Sequence, residues 1–407
     1  MSPMRRACAL FTLPLAQTSL LLGVNTLAAG GLGFLFWSIA ARLLPAAEVG
    51  RASAYTAGIG LVVALAALGL PETLIRHLAH SARPRSLIKR MGQVSVAAGL
   101  LAGLFYAVLP VSDALASIYR PLAAVGITVA LLLLGLANAV LLAERRPVAI
   151  LAGSVATGVA KCAALLVAMN AAGVIGAYGL GALLGFALAA AIAARGLPDR
   201  SEKNGDTSLS LRGYALSNWI GGAASLLPLA ITPSLLLARA GAESAAYATI
   251  PLLLLTFLTL SPSVVARSLF AEASRHPERT DLLFRRGMTL AFAGSLAALG
   301  GTLVFGRLVL SFFGPDYADA GSLLLVLLAI ASLIAVPNYF IDAVLNVRRD
   351  TTGYAVVNSA GSVAVAGAVL LLAHDPTSLG VAWIVGQAIY LLIAATTLII
   401  RTGGHHD

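Results

Sequence analysis

The 407-residue sequence predicts an all-α polytopic membrane protein of about twelve transmembrane helices, and three observations carry that prediction. Hydrophobic residues make up 59% of the chain, charged residues 11%, and mean hydropathy is +0.92. Soluble domains average about 25% charged residues. The apolar residues fall in runs of roughly 20, the length at which a helix crosses a hydrocarbon core of about 30 Å. The basic residues, finally, are divided unequally between alternate loops.

Hydropathy places the crossings at about 18–41, 54–75, 91–110, 121–143, 147–169, 173–194, 213–237, 245–267, 287–311, 321–342, 351–373 and 379–400. Arg5 and Arg6 precede the first as in a signal sequence, but no small-residue cleavage site follows, so the segment reads as a retained signal anchor. Pro14 and Gln17 split this region and suggest a short interfacial piece before the first crossing. An even number of crossings puts both termini on one side. With that side cytoplasmic, 21 of the 27 lysines and arginines lie inside and five outside: Arg42, Arg51, Arg120, Arg239 and Arg307. Lys161 lies within a crossing. Such an asymmetry orients the chain, and it accounts for most of the net charge of +10 with no nucleic acid as partner.

The sustained polar stretch RGLPDRSEKNGDTSLSLR divides the chain into a six-helix lobe at 1–194, a cytoplasmic linker at 195–212 and a second six-helix lobe at 213–407. The halves look related. Gly30 and Gly31 correspond to Gly221 and Gly222; AEVGRASAY ending at Tyr55 matches RAGAESAAY ending at Tyr247; Pro71 and Arg76 match Pro262 and Arg267; SLIKRM ending at Met91 matches DLLFRRG ending at Gly287. Even-numbered halves share one orientation, so the repeat is parallel, about an axis along the membrane normal.

Enzyme signatures are missing. There is no G-x-x-x-x-G-K-[ST] loop for nucleotide phosphates, and no Ser/His/Asp or Cys/His constellation. His77 and His80, three residues apart, read as part of a basic loop and not as a metal site. Cys8 and Cys162 are too far apart in sequence to suggest a disulfide framework or metal cluster. No cofactor is expected.

In carriers built from repeats, Gly- or Pro-interrupted spans at matching places mark the substrate path. Here they are the first span, with Gly30 and Gly31, and the seventh, with Gly221, Gly222, Pro228 and Pro233, as candidate hinges. Each begins with an amide, Asn25 or Asn218. Close helix packing is the competing explanation for the glycines, as in the Gly181 to Gly185 seam. Lys161 lies some 14 residues past the cytoplasmic start of its span, roughly 21 Å deep at ~1.5 Å per residue. A cation there faces a wet cavity or snorkels to the outer interface; in a cavity it is a ligand for phosphate or an acidic sugar. Arg42 and Arg239 close the first and seventh spans on the outside, as a cationic mouth or as interface anchors. Glu72 and Arg76, four residues apart on one helix face, form with Arg267 a candidate cytoplasmic gate. Glu72 and Asp342 are placed near span ends, leaving no mid-span carboxylate, and proton or sodium coupling usually relies on one.

The stretch NTLAAGGLGFLFWSIAARLLPAAEVGRASAY, then LGLPETLIR, resembles the start of polysaccharide-biosynthesis flippases of the multidrug/oligosaccharidyl-lipid/polysaccharide (MOP) exporter superfamily. FFGPDYADAGSLLLVLLAIASLIAVPNYFIDAVLNVRR, from Phe312 to Arg349, is similar to that superfamily's ninth-to-tenth span junction. The resemblance implies two pseudo-symmetric six-helix lobes around a central cavity, in a bacterial cytoplasmic membrane with both termini cytoplasmic. It implies an undecaprenyl-diphosphate-linked oligosaccharide as cargo, moved by alternating access as the first and seventh spans bend. Lys161 then supplies cavity charge, and Asn25, Asn218, Arg42 and Arg239, from their places in the first and seventh spans, are the other candidate substrate ligands. Besides membrane lipids, the expected partners are a polysaccharide polymerase and glycosyltransferases. Two features point away from the lipid II flippases within that superfamily: mid-span arginines are few, and there are twelve spans where those have fourteen. The alternatives are a multidrug or small-molecule exporter on the same fold, and a membrane-embedded polymerase or ligase. The last needs a large outer loop, whereas the longest here is only about 12 residues.

Overall fold

The computed structural model describes residues 14–78, 81, 83–109, 115, 119–195, 211–273, 280–348 and 350–403, and among these the regular structure is helix, with no strand. Fourteen helices follow in order: α1 Pro14–Leu43, α2 Ala46–Ala66, α3 Leu70–His77, α4 Pro84–Ala107, α5 Arg120–Ala143, α6 Pro147–Leu165, α7 Ala171–Ala194, α8 Leu211–Leu258, α9 Leu260–Ala273, α10 Thr280–Ser311, α11 Pro315–Ile334, α12 Val336–Val347, α13 Thr351–Leu372 and α14 Pro376–Gly403.

Ten described stretches are long and apolar enough to cross a membrane. One of them, Ala223–Ala266, has 44 residues; at ~1.5 Å per residue it is about 66 Å long, twice a hydrocarbon core. Gly241, at φ 84°, breaks the helix within α8 and makes two crossings of it. That conformation lies in the region open chiefly to glycine. α4 adds one more: its first turns carry Arg85, Lys89 and Arg90, leaving residues 91–107 apolar. Ten thus become the twelve crossings expected.

Three boundaries differ from expectation. α1 runs unbroken from Pro14, so no separate interfacial piece precedes it within the described residues; proline is tolerated in a first helical turn. The second crossing is interrupted between α2 and α3, where Leu68 (φ 51°) and Gly69 (φ 66°) turn left-handed. The eighth is interrupted between α8 and α9. Both interruptions fall just before a proline of the proposed repeat, Pro71 and Pro262.

The solvent is written on the surface. α4 exposes Leu101 (73%) and Phe105, and α10 exposes Leu303, Val304 (71%) and Phe305. Apolar faces this continuous belong against lipid, and the chain is a multi-pass membrane protein.

The chain forms two compact units, residues 1–43 with 62–219, and residues 44–61 with 220–407. In the first, α4 packs on α5, α6 on α7, α5 on α7 and α1 on α6. Leu74, Leu78, Met91, Leu136 and Val140 form one core cluster, and Leu141, Ile150 and Ala189 belong to another. In the second, α13 pairs with α14, α10 with α11, α11 with α14 and α9 with α12. Leu236, Leu252, Leu324, Leu328, Val365 and Trp383 share one of its core clusters. Segment 44–61 belongs here through contact with α8: Thr249 Oγ1 donates to Ser53 Oγ at 2.8 Å, and Ser234 Oγ to the Ala54 carbonyl at 3.2 Å. Gly50 is what permits the approach, since a methyl group there would overlap the carbonyl oxygen of Ala242. The two sequence stretches noted as matching, ending at Tyr55 and Tyr247, are therefore in direct contact.

Candidate functional site

In the first unit, Lys161 projects from α6 with its Nζ 5.2 Å from the centroid of the Phe36 ring on α1 and 5.9 Å from that of Tyr178 on α7. A cation over an aromatic face gains about 0.5–2 kcal/mol, more as water is excluded. Among the described residues no carboxylate pairs with it. The α6–α7 approach that frames it depends on glycine: a methyl at Gly181 would come within 2.9 Å of Lys161 Cβ, and one at Gly185 would overlap Thr157 Oγ1. α6 is also shorter than hydropathy suggests. It ends at Leu165, because Asn170 caps α7 by accepting from Gly173 N at 3.0 Å and the intervening residues form the turn. Lys161 is therefore four residues, about 6 Å, from its helix end.

The other sequence-derived residues are dispersed. Asn25, on α1, has a buried Oδ1 with no hydrogen-bond partner. Arg42 ends α1 and is exposed. Arg239 donates from Nη1 to the Ala373 carbonyl at 3.0 Å, closing the C-terminal end of α13, where a cation and an orphan carbonyl suit each other. Gly30 and Gly31 lie within unbroken α1, and Gly221, Gly222, Pro228 and Pro233 within the helical run of α8 that precedes Gly241. Glu72 is exposed on α3. The side chains of Asn218, Arg76 and Arg267 lie outside the described residues, and with them the expected Glu72–Arg76 pair. For Gly31 the packing explanation finds no support, since a Cβ there would meet nothing within 4 Å.

The second unit holds a cavity of about 220 Å³ among α8, α11, α12, α13 and α14. Asp342 corrects the expectation that no carboxylate reaches into a crossing: it ends the span expected from hydropathy, but it lies midway along α12 and its side chain lines this cavity. Tyr390 OH donates to Asn358 Oδ1 (3.2 Å), and Asn358 Nδ2 donates to Asp342 Oδ1 (2.8 Å). Asn338, one turn before Asp342, donates from Nδ2 to Gln387 Oε1 (3.3 Å), while its own Oδ1 is buried without a partner. Pro228, a candidate hinge, lines the same space. The sequence did carry a signal for this group, because Asn338, Asp342, Asn358 and Gln387 are strongly polar side chains in otherwise apolar crossings, where each is costly without a purpose.

No family model and no curated protein matches the sequence. Structure supplies the likeness: the chain has the fold of membrane transporters of the MOP superfamily. An inward-facing multidrug resistance MATE family transporter of that superfamily superposes with TM-score 0.69 at 12% identity, over 95% of this chain and 98% of that one. Lipid II flippase MurJ, in an inward closed conformation, gives TM-score 0.69 at 12% identity over 95% and 94%. A MOP superfamily transporter from Pyrococcus furiosus, described as having a binding pocket of reverse polarity, gives 0.57 at 15% over 96% and 94%.

Proposed function

We propose that the chain is a non-enzymatic flippase that moves an undecaprenyl-diphosphate-linked oligosaccharide across the bacterial cytoplasmic membrane for cell-surface polysaccharide synthesis, by alternating access and with both termini cytoplasmic. Lys161 is the observation that carries this reading. Its ammonium group lies among α1, α6 and α7 of the first unit with aromatic rings and, among the described residues, no carboxylate for company, which leaves its charge available to an anionic head group such as a diphosphate. A lipid II flippase is among the structural neighbours. A polysaccharide polymerase and glycosyltransferases are the expected partners, supplying and consuming the cargo. In a strain deleted for the protein, lipid-linked glycan should accumulate on the cytoplasmic face, and plasmid-borne protein should restore it to the outer face. Normal outer-face glycan in the deletion strain, with no redundant carrier, defeats the reading.

A second reading is favoured by Asp342 alone. A carboxylate lining a cavity within a crossing is a common device of cation-coupled exporters, and two of the similar structures are of a multidrug resistance MATE family transporter.

The hinge glycines give a separate expectation. Gly31→Ala adds a methyl group into open space, so it should raise stability by about 0.4–1 kcal/mol by restricting the unfolded chain. If α1 bends during transport, the same change slows delivery of glycan to the outer face. Unchanged delivery with raised stability removes Gly31 from the hinge.

A further inference from the structure

The polar group in the second unit is poorly suited to the two obvious occupants. A dehydrated metal ion needs oxygens drawn in to about 2.0–2.6 Å on all sides, whereas 220 Å³ is room for roughly seven waters at ~30 Å³ each, and much of the wall is carbon, from Pro228, Leu229, Val365 and Trp383. A wholly apolar ligand fits that carbon wall but strands the unpartnered Oδ1 of Asn338, a residue only 4% exposed, and makes no use of Asp342, a cavity-lining carboxylate held through Oδ1 by Asn358. The two residues are four apart on α12, so they share a helix face. Gln387, which accepts from Asn338, keeps its amide N–H groups to donate. Among the described residues no lysine or arginine lines the cavity.

A ligand that meets all of this has an apolar face and an edge of hydroxyl groups that both donate and accept, in a volume of one ring. We propose that the cavity is a carbohydrate subsite that takes one sugar ring of the translocated glycan, Asp342 and Asn338 accepting from its hydroxyls and Gln387 donating to them. The identity of the glycan as cargo rests on the flippase reading; the chemistry of the subsite does not. Asn358 and Tyr390 act as positioning residues, because their chain of donated bonds fixes one carboxylate oxygen of Asp342 and turns the other to the ligand.

The experiment uses the full-length protein in lipid nanodiscs with free glucose, N-acetylglucosamine and glucosamine as probes, followed by saturation-transfer NMR, and with sodium against choline chloride followed by thermal unfolding. The wild type should bind at least one of the sugars with millimolar affinity. Asp342→Asn and Asn338→Leu should each weaken that binding tenfold or more while keeping a wild-type unfolding midpoint; if one of them fails to fold, the other decides. The proposal is overturned if no sugar binds, if both variants bind as the wild type does, or if sodium alone raises the midpoint in the wild type and not in Asp342→Asn, which makes the cavity a cation site. Movement of a polyprenyl-linked glycan in proteoliposomes then separates the two readings. Sugar binding without movement ends the flippase reading and leaves the subsite standing; movement unimpaired in a variant that has lost sugar binding ends the subsite's role in transport.

Discussion

Gly50→Leu is expected to be among the most damaging single changes in the second unit, costing about 1–3 kcal/mol or more as overpacking does in a close-fitting interior. The obstacle is backbone and cannot rotate away: even a methyl group at Gly50 would overlap the Ala242 carbonyl oxygen and come within 3.0 Å of Ala246 N. Relief requires segment 44–61 to withdraw from α8, which stretches the Thr249–Ser53 and Ser234–Ala54 hydrogen bonds. Val49, Ala52, Ala54 and Tyr55, all fully buried, would be partly uncovered. The control is Gly60→Ala on the same helix, where a Cβ meets nothing within 4 Å and the expected change is neutral to stabilising by about 0.4–1 kcal/mol. Thermal unfolding of purified protein in one detergent decides the matter: a lower midpoint for Gly50→Leu with none for Gly60→Ala supports the close approach, and equal midpoints show that the segment repacks elsewhere.

The contrast between Gly50 and Gly60 also marks how far the sequence could be read. Twelve crossings were legible because hydropathy is a property of twenty-residue windows and tolerates error at any one position. Boundaries set by single residues were less so. The shortening of α6 depends on one cap, Asn170, and the doubling of α8 on one left-handed glycine, Gly241; neither stands out in a window average. That stretches ending at Tyr55 and Tyr247 are alike was visible, but that they touch was not, since contact through glycine, alanine and serine has almost no hydropathic signature. Asp342 was judged by its distance from a span end, which says how deep a residue lies and nothing of which way it faces. Its facing was readable only in company: Asn338 and Asp342 lie one turn apart, with Asn358 and Gln387 supplied by two later crossings, and pairing across crossings is a tertiary fact. The likeness to MOP transporters divides in the same way. The fold is common to multidrug exporters and a lipid II flippase, so the cargo has to be argued from particular side chains.

Lys161→Ala is the substitution on which the cargo argument turns. If the ammonium binds the diphosphate of the carried lipid, its removal deletes a charged hydrogen bond of about 1.5–3 kcal/mol, and at 1.4 kcal/mol per factor of ten delivery of glycan to the outer face falls roughly ten- to hundredfold. Stability should change little. The variant gives up the cation–aromatic contacts with Phe36 and Tyr178, worth about 0.5–2 kcal/mol, but it also gives up the cost of holding a charge in a crossing, about 2.5–3.5 kcal/mol at a helix centre and less at one turn from the end of α6. Lys161→Arg keeps charge and reach, and should retain most of the flux. Lys161→Met keeps the length and apolar stem without charge, and should behave as alanine does. This last variant separates the two roles open to the residue. A side chain that only anchors α6 at the interface is replaceable by one that packs as well, whereas an anion ligand is not. Full glycan delivery by Lys161→Met at matched protein level assigns Lys161 to anchoring and removes the strongest support for an anionic head group in the first unit.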